Sequence, residues 1–259
     1  MAFGTSCAEH THATDSPALA VSLARDPGGT TPERTRRLCP AHNSVSDQSA
    51  AHGFDLWRAA ISMSPQTHPY SDPLMKRTYF TNAILHGVPT RDSRPADERK
   101  RLQRLLKRAL VPCADVLRAQ LTLLRPKVIM VFGESADQAL AYVAPGHWSE
   151  ATAAVPAHRQ FELTDTGHTT TAYRLIHGSP QSTNLVAAPL AQRFFATTRD
   201  QSEFVRAKIE TLPSSREALN FLDKYRAKSS TDTLFQGMML HLSWWIEVGS
   251  ALRSAAASP

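Results

Sequence analysis

KVIMVFG, residues 127–133, is the stretch on which the fold turns. Its apolar run shows no polar alternation, so both faces of the segment must be covered, as in a central strand of a parallel sheet. Gly133 then ends the strand and turns the chain into a helix that runs through Leu140. A buried strand that leads through a glycine into a helix is part of a strand–helix–strand unit, so the flanking sequence should supply further strands and helices.

Upstream, Pro112 is placed to start a helix, with Val116, Leu117, Gln120, Leu121 and Leu124 spaced to pack. Before it, Pro95 to Leu110 reads as another helix. Pro95 suits its first turn, and Asp97 and Glu98 suit the positive end of its dipole. Leu102, Leu105, Leu106 and Ala109 form its apolar stripe and leave the arginines and lysines on the opposite face. Two more strands are expected further upstream, at Ala18–Ala24 (ALAVSLA) and Thr78–Leu85 (TYFTNAIL). Between them lie a polar loop over residues 30–53 and a short helix over Phe54–Met63. Downstream, Gln160–Leu163 and Thr171–Ile176 read as strands, and His177–Ser182 as a turn before a helix to about Phe195. This order predicts an α/β fold: a three-layer α/β/α sandwich with a central, mainly parallel sheet. Residues 1–17 are expected to form a flexible tail, 18–197 the α/β domain, and 198–259 a helical C-terminal extension packed on it. The last helix repeats Leu234, Phe235, Met238, Leu242, Trp245, Ile246 and Gly249 at three- and four-residue intervals. That pattern suits packing on the domain or binding a partner.

The 259 residues include 42% hydrophobic and 20% charged side chains, which excludes wholesale disorder. No apolar run reaches the roughly 18 residues that span a bilayer, and no secretory signal is visible. Cys7, Cys39 and Cys113 are too few and too scattered for a disulfide framework, so a reducing, cytoplasmic setting is expected. The net charge is +6, and residues 91–108 hold eight Lys and Arg against three Asp and Glu. Polyanionic partners therefore become plausible. The basic helix reads either as a solvated face or as a phosphate-contacting surface.

In an open α/β sheet, ligands bind beyond the carboxyl ends of the strands. Three polar clusters fall at such ends: Asp26-Pro27-Gly28-Gly29, Asn82, and His177-Gly178-Ser179-Pro180-Gln181-Ser182. Each alone has an ordinary structural reading, as a common turn, a capping amide or a surface corner. In this order and spacing they resemble the uracil-DNA glycosylase superfamily. TYFTNAILHGVPTRDSRP is similar to the family's strand with a base-reading Asn, and CADVLRAQLTLLRPKVIMVFGESADQAL to the helix, proline, buried strand and Gly-turn of bacterial members. LARDPGG resembles the water-activating loop and HGSPQS the His-Pro-Ser-Pro loop.

The resemblance implies a DNA repair enzyme that flips out uracil, or a related deaminated or modified base, and hydrolyses its N-glycosidic bond. Asp26 would stabilise the sugar cation and activate water. Asn82 would read the base, because an amide pairs with uracil N3–H and O4 together. His177 would donate to the pyrimidine O2 of the leaving anion. Ser179, with the turn at Gly178, Pro180 and Ser182, would touch phosphates, and Gln181 would stand at the wedge. Pro27, Gly28, Gly29 and Pro40 would line the base pocket. Gly28 and Gly29 follow Asp-Pro where one family branch has a Tyr, and Pro40 in Leu38-Cys39-Pro40 replaces a stacking Phe. Gly178 replaces the loop's usual Pro, and Gln181 its usual Leu. Iron–sulfur members need four cysteines. Cys113 matches one, but His86 stands where a second would be, so no cluster and no metal or organic cofactor is expected. His86 is read as structural. The expected partner is uracil-containing or damaged DNA, single- or double-stranded, bound by a monomer away from membranes. The alternatives are a superfamily member that binds nucleic acid with altered or lost catalysis, and an unrelated α/β enzyme using the Asp26 turn for a phosphate.

Overall fold

A computed structural model describes residues 20–24, 77–82, 96–163, 167–176, 182–213, 215–228 and 231–257. The fold is mixed α/β. Strands β1 (Ala20–Ala24), β2 (Thr78–Asn82), β3 (Val128–Phe132), β4 (His158–Leu163) and β5 (His168–Leu175) form one sheet in the order β2-β1-β3-β5-β4. β1 pairs in parallel with β2 and β3, and β3 with β5; β4 alone runs antiparallel, against β5. KVIMVF thus supplies the central strand, as its unbroken apolar run predicts.

The pleat of β3 explains why it is apolar on both sides. Val128 and Met130 enter one apolar cluster with Leu175, while Ile129 and Val131 enter another with Leu163 and Ala172. The second cluster is completed by helix α1 (Ala96–Leu124), through Leu110, Leu117 and Leu121, and by α2 (Glu134–Val143), through Ala136, Ala139 and Leu140. The first is completed from the C-terminal half of the chain, by α3 (Ala188–Phe194), α4 (Thr198–Glu210), α5 (Arg216–Lys228) and α6 (Asp232–Ala257).

One helical expectation needs correction. The segments on either side of Pro112 form one helix, α1, of 29 residues with Pro112 inside it. Proline removes one backbone N–H and crowds the carbonyl four residues earlier, that of Arg108. Both Pro112 and Arg108 are exposed, so the freed carbonyl lies on the side that water can reach. Leu110 and Cys113 on the opposite side are buried and hold the two halves in line. The apolar face follows the spacing at Leu117 and Leu121 but departs from it in part: Leu105 and Val116 are exposed, and Cys113 and Ala114 are buried. Helix α6 packs against the sheet and the neighbouring helices. It is buried on every side from Phe235 to Ile246, with the polar Gln236, His241 and Ser243 included, so it is a core helix and presents no partner-binding stripe there.

Polar side chains tie α6 to the loop between α2 and β4. Trp244 Nε1 donates to the Thr152 carbonyl at 2.9 Å and Ser243 Oγ to that of Ala153 at 2.8 Å. Lys208 on α4 donates to the carbonyls of Ala154 and Ser243 and lies 3.7 Å from a Glu247 carboxylate oxygen. Burial lowers the Lys208 ammonium pKa, and Glu247 pulls it the other way. At the far end of α6, Lys127 Nζ donates to the Ala255 carbonyl at 3.1 Å. Among the described residues, no helix is long and apolar enough to cross a membrane.

Candidate functional site

The candidate site is the carboxyl edge of the parallel strands, and backbone register sets its geometry. Ala24, the last residue of β1, is the partner of Asn82, the last residue of β2. Leu23 of β1 partners Val131 of β3, and Phe132 of β3 partners Leu175, the last residue of β5. Four strands therefore stop in one line. In sequence, Asp26 lies two residues beyond the end of β1 and His177 two beyond the end of β5. The structure places the backbone of Asn82 at this edge. Asp26, Pro27, Gly28, Gly29, Pro40, His177, Gly178, Ser179, Pro180 and Gln181 lie outside the described residues, as do His86 and the helix expected over Phe54–Met63.

Ser182 is described and stands half-buried just before a widened helical turn, Thr183–Ala187, in which the Ala188 N–H reaches back to the Thr183 carbonyl. This i→i+5 turn leads into α3, with Pro189 in the first turn. Its rear is held by α6. Thr183 Oγ1 lies 3.2 Å from His241 Nε2, both buried. Gly237 sits against the turn so closely that a β-carbon there would lie 2.7 Å from the Thr183 carbonyl oxygen and 3.1 Å from the Ala188 nitrogen. The segment that leaves the HGSPQS stretch is thus seated on the C-terminal helix. Sequence reading missed this support. The available signal was Gly237 and His241 in a mostly apolar helical run.

Gly133, at the end of β3, has φ 80°, the left-handed region that favours glycine, and a β-carbon there would meet nothing within 4 Å. Beside it, Asp137 in the first turn of α2 accepts from Trp148 Nε1 at 2.7 Å and pairs with Arg174 of β5 at 3.1 Å. Arg159 of β4 lies over Trp148, 4.8 Å from the ring centre, and donates to the Gly146 carbonyl at 3.0 Å. Its Nε and Nη2 are buried without a hydrogen-bond partner. Burial lowers the guanidinium pKa, and Asp137 opposes the shift. This cluster braces the junction of α2, β4 and β5, and none of its members figured among the expected site residues.

Among the described residues, no three His, Cys, Asp or Glu side chains are grouped to hold a metal ion. Cys113, the position similar to an iron–sulfur ligand, is a buried cysteine on α1.

No curated protein matches the chain. The family described as the Uracil DNA glycosylase superfamily matches residues 31–201. The match spans Pro40, Asn82, the buried strand of KVIMVF and the whole HGSPQS stretch, and it begins just after Asp26-Pro27-Gly28-Gly29. A glycine-ended central strand, a carboxyl edge that carries Asn82, and a family match over most of the chain lead to one conclusion: the chain belongs to the uracil-DNA glycosylase superfamily.

Proposed function

We propose that this protein is a monofunctional DNA glycosylase that hydrolyses the N-glycosidic bond of uracil, or of a related deaminated or modified base, in DNA. The observation that carries the reading is the register of the strand ends. Asn82 stands level with the end of β1, and β1 and β5 each end two residues before Asp26 and His177. Two-residue links are too short to carry a residue far from the edge, since an extended chain spans at most about 3.6 Å per residue. The helices on both faces of β3 support the reading of a three-layer α/β/α sandwich.

In this proposal the base leaves the helical stack and its edge meets the Asn82 amide. Bond cleavage builds positive charge on the sugar and negative charge on the base. The Asp26 carboxylate stabilises the first and orients water for attack, and His177 donates to O2 of the departing base. No cofactor enters this scheme. Gly28 and Gly29 carry no side chain with which to exclude a 5-substituent, so the scheme allows 5-substituted uracils as substrates.

The test is base release from an oligonucleotide carrying one uracil, single- and double-stranded, read as alkali-labile cleavage. Wild-type protein should cleave, and Asp26→Asn should lower the rate by about 100-fold or more while melting like wild type. A folded Asp26→Asn protein as active as wild type would refute the role of Asp26. Tight binding of uracil or abasic DNA without base release would favour the catalytically altered reading, with Gly29, Pro40 and Gly178 as the departures to revert first.

A further inference from the structure

Helix α1 is much longer than the sheet it covers. Its 29 residues span about 43 Å, whereas the five residues of β3 span about 16 Å. The helix doubles back into β3 through Arg125-Pro126-Lys127, with Arg125 at φ 44°, so it runs against the strand direction. Gln120 fixes its height: the amide donates to the Tyr79 hydroxyl at 3.4 Å, level with the second residue of β2. Asn82 lies three residues, or about 10 Å, further along β2, which is about seven residues of helix. α1 therefore passes the carboxyl edge near Cys113, and the part from Ala96 to Arg108 stands beyond it.

That overhanging part is cationic. Lys100, Arg101, Arg104 and Arg108 are all exposed and make no ion pair among the described residues. At 100° per residue they occupy an arc of about 100°, turned away from the arc of Leu110, Leu117 and Leu121 that packs on the domain. The only exposed carboxylate described on this half of the helix is Asp97, and Leu105 is exposed among the cations. Their heights range from about 7 Å above the edge at Arg108 to about 20 Å at Lys100. Phosphates of one DNA strand repeat within that range.

We propose that the overhang of α1 is an accessory DNA-backbone track, which holds the strand flanking the target nucleotide through Lys100, Arg101, Arg104 and Arg108. The inference rests on the reading of the chain as a DNA-acting protein, but it does not require base release. Its contacts are to phosphates, so they add affinity and salt dependence without base preference.

The experiment compares the full-length protein with a variant carrying Lys100→Gln, Arg101→Gln, Arg104→Gln and Arg108→Gln. A control variant carries Arg193→Gln, Arg199→Gln, Arg206→Gln and Arg216→Gln, four exposed cations on α3, α4 and α5. The probe is a labelled 30-base-pair DNA without uracil, titrated between about 50 and 300 mM salt. Each phosphate contact contributes about 0.9 to the slope of log affinity against log salt, so the α1 variant should lose about 2–3 from the slope and at least tenfold in affinity near 100 mM salt. The control should lose much less. Equal losses in both variants would assign the effect to net charge and overturn the proposal, as would an unchanged slope or a wild-type protein that binds no DNA at 50 mM salt. If wild-type protein releases no base from any uracil substrate while the α1 variant alone loses affinity, the glycosylase reading fails and the track stands.

Discussion

A methyl group added at Gly237 would enter the space of the i→i+5 hydrogen bond that widens the turn at Thr183, at 2.7 Å from its acceptor. In an unconstrained helix, Gly→Ala stabilises by about 0.5–1 kcal/mol, so the sign of the change is diagnostic. Here Gly237→Ala should destabilise by about 1–3 kcal/mol, because backbone rather than a flexible side chain must give way. Urea unfolding checks it, and a stabilised variant would show that the α6 contact is looser than the distances imply. Arg159 makes the opposite case. Its charge is buried with two nitrogens unpartnered, while its stem and guanidinium plane pack on Trp148 and Phe161. Arg159→Met should keep the packing and remove the desolvated charge, so stability should stay within about 1 kcal/mol of wild type or rise. Arg159→Ala should cost more, through lost contact alone.

At the scale of elements, α1 tests how a proline is tolerated inside a helix. Pro112 lies on the wet side of a helix that is pinned by Leu110, Cys113, Leu117 and Leu121 on the other. Pro112→Ala restores a backbone donor for the Arg108 carbonyl and should stabilise the protein by about 1–3 kcal/mol, measured by thermal unfolding. A loss of stability would mean that the proline sets a bend on which the packing against α2 depends. Proline and the flanking charges were legible as helix signals. Their continuity across residue 112 was not, since a proline read alone is a stop. The burial of α6 on every side was not legible for a related reason. Three- and four-residue spacing marks one apolar face, but Gln236, His241 and Ser243 are buried too, because each meets a polar partner on a neighbouring segment.

For the whole molecule, the apolar cluster on one side of β3 is built largely from residues beyond the family match. Val205, Ile209, Phe221, Phe235, Met238, Met239 and Trp245 all follow residue 201, and Phe132 at the end of β3 stacks on Trp245 at 5.6 Å. A chain ending at residue 201 would expose that face of the sheet. It should fail to unfold cooperatively and should bind hydrophobic dye, whereas the full chain should show one sharp transition. Alkaline titration gives a second whole-molecule test. Burial, and then the Glu247 carboxylate, push the Tyr173 phenol above its ordinary range near 10. Above pH 10 the folded chain then holds a proton that the unfolded chain has released. This contribution is fully present below pH 10 and is lost as pH rises through the folded value. Tyr173→Phe should flatten the fall in melting temperature as pH rises above 10. Lys208, lowered by burial, works in the opposite sense: its share of stability rises with pH up to the ordinary lysine value.

By itself the sequence determined the strand order along the chain, the central strand and its glycine exit, the basic segment and the superfamily. All of these reside in local pattern: an unbroken apolar run must be covered on both faces, and charge density needs no fold to be counted. Only the tertiary structure decided that β4 turns antiparallel, that α1 is one helix rising past the sheet edge, and that α6 is core. It alone placed Gly237 and His241 behind the turn that follows HGSPQS. The reason is distance along the chain. Thr183 and His241 are far apart in sequence, and no local periodicity records which remote element will supply a buried side chain with its partner.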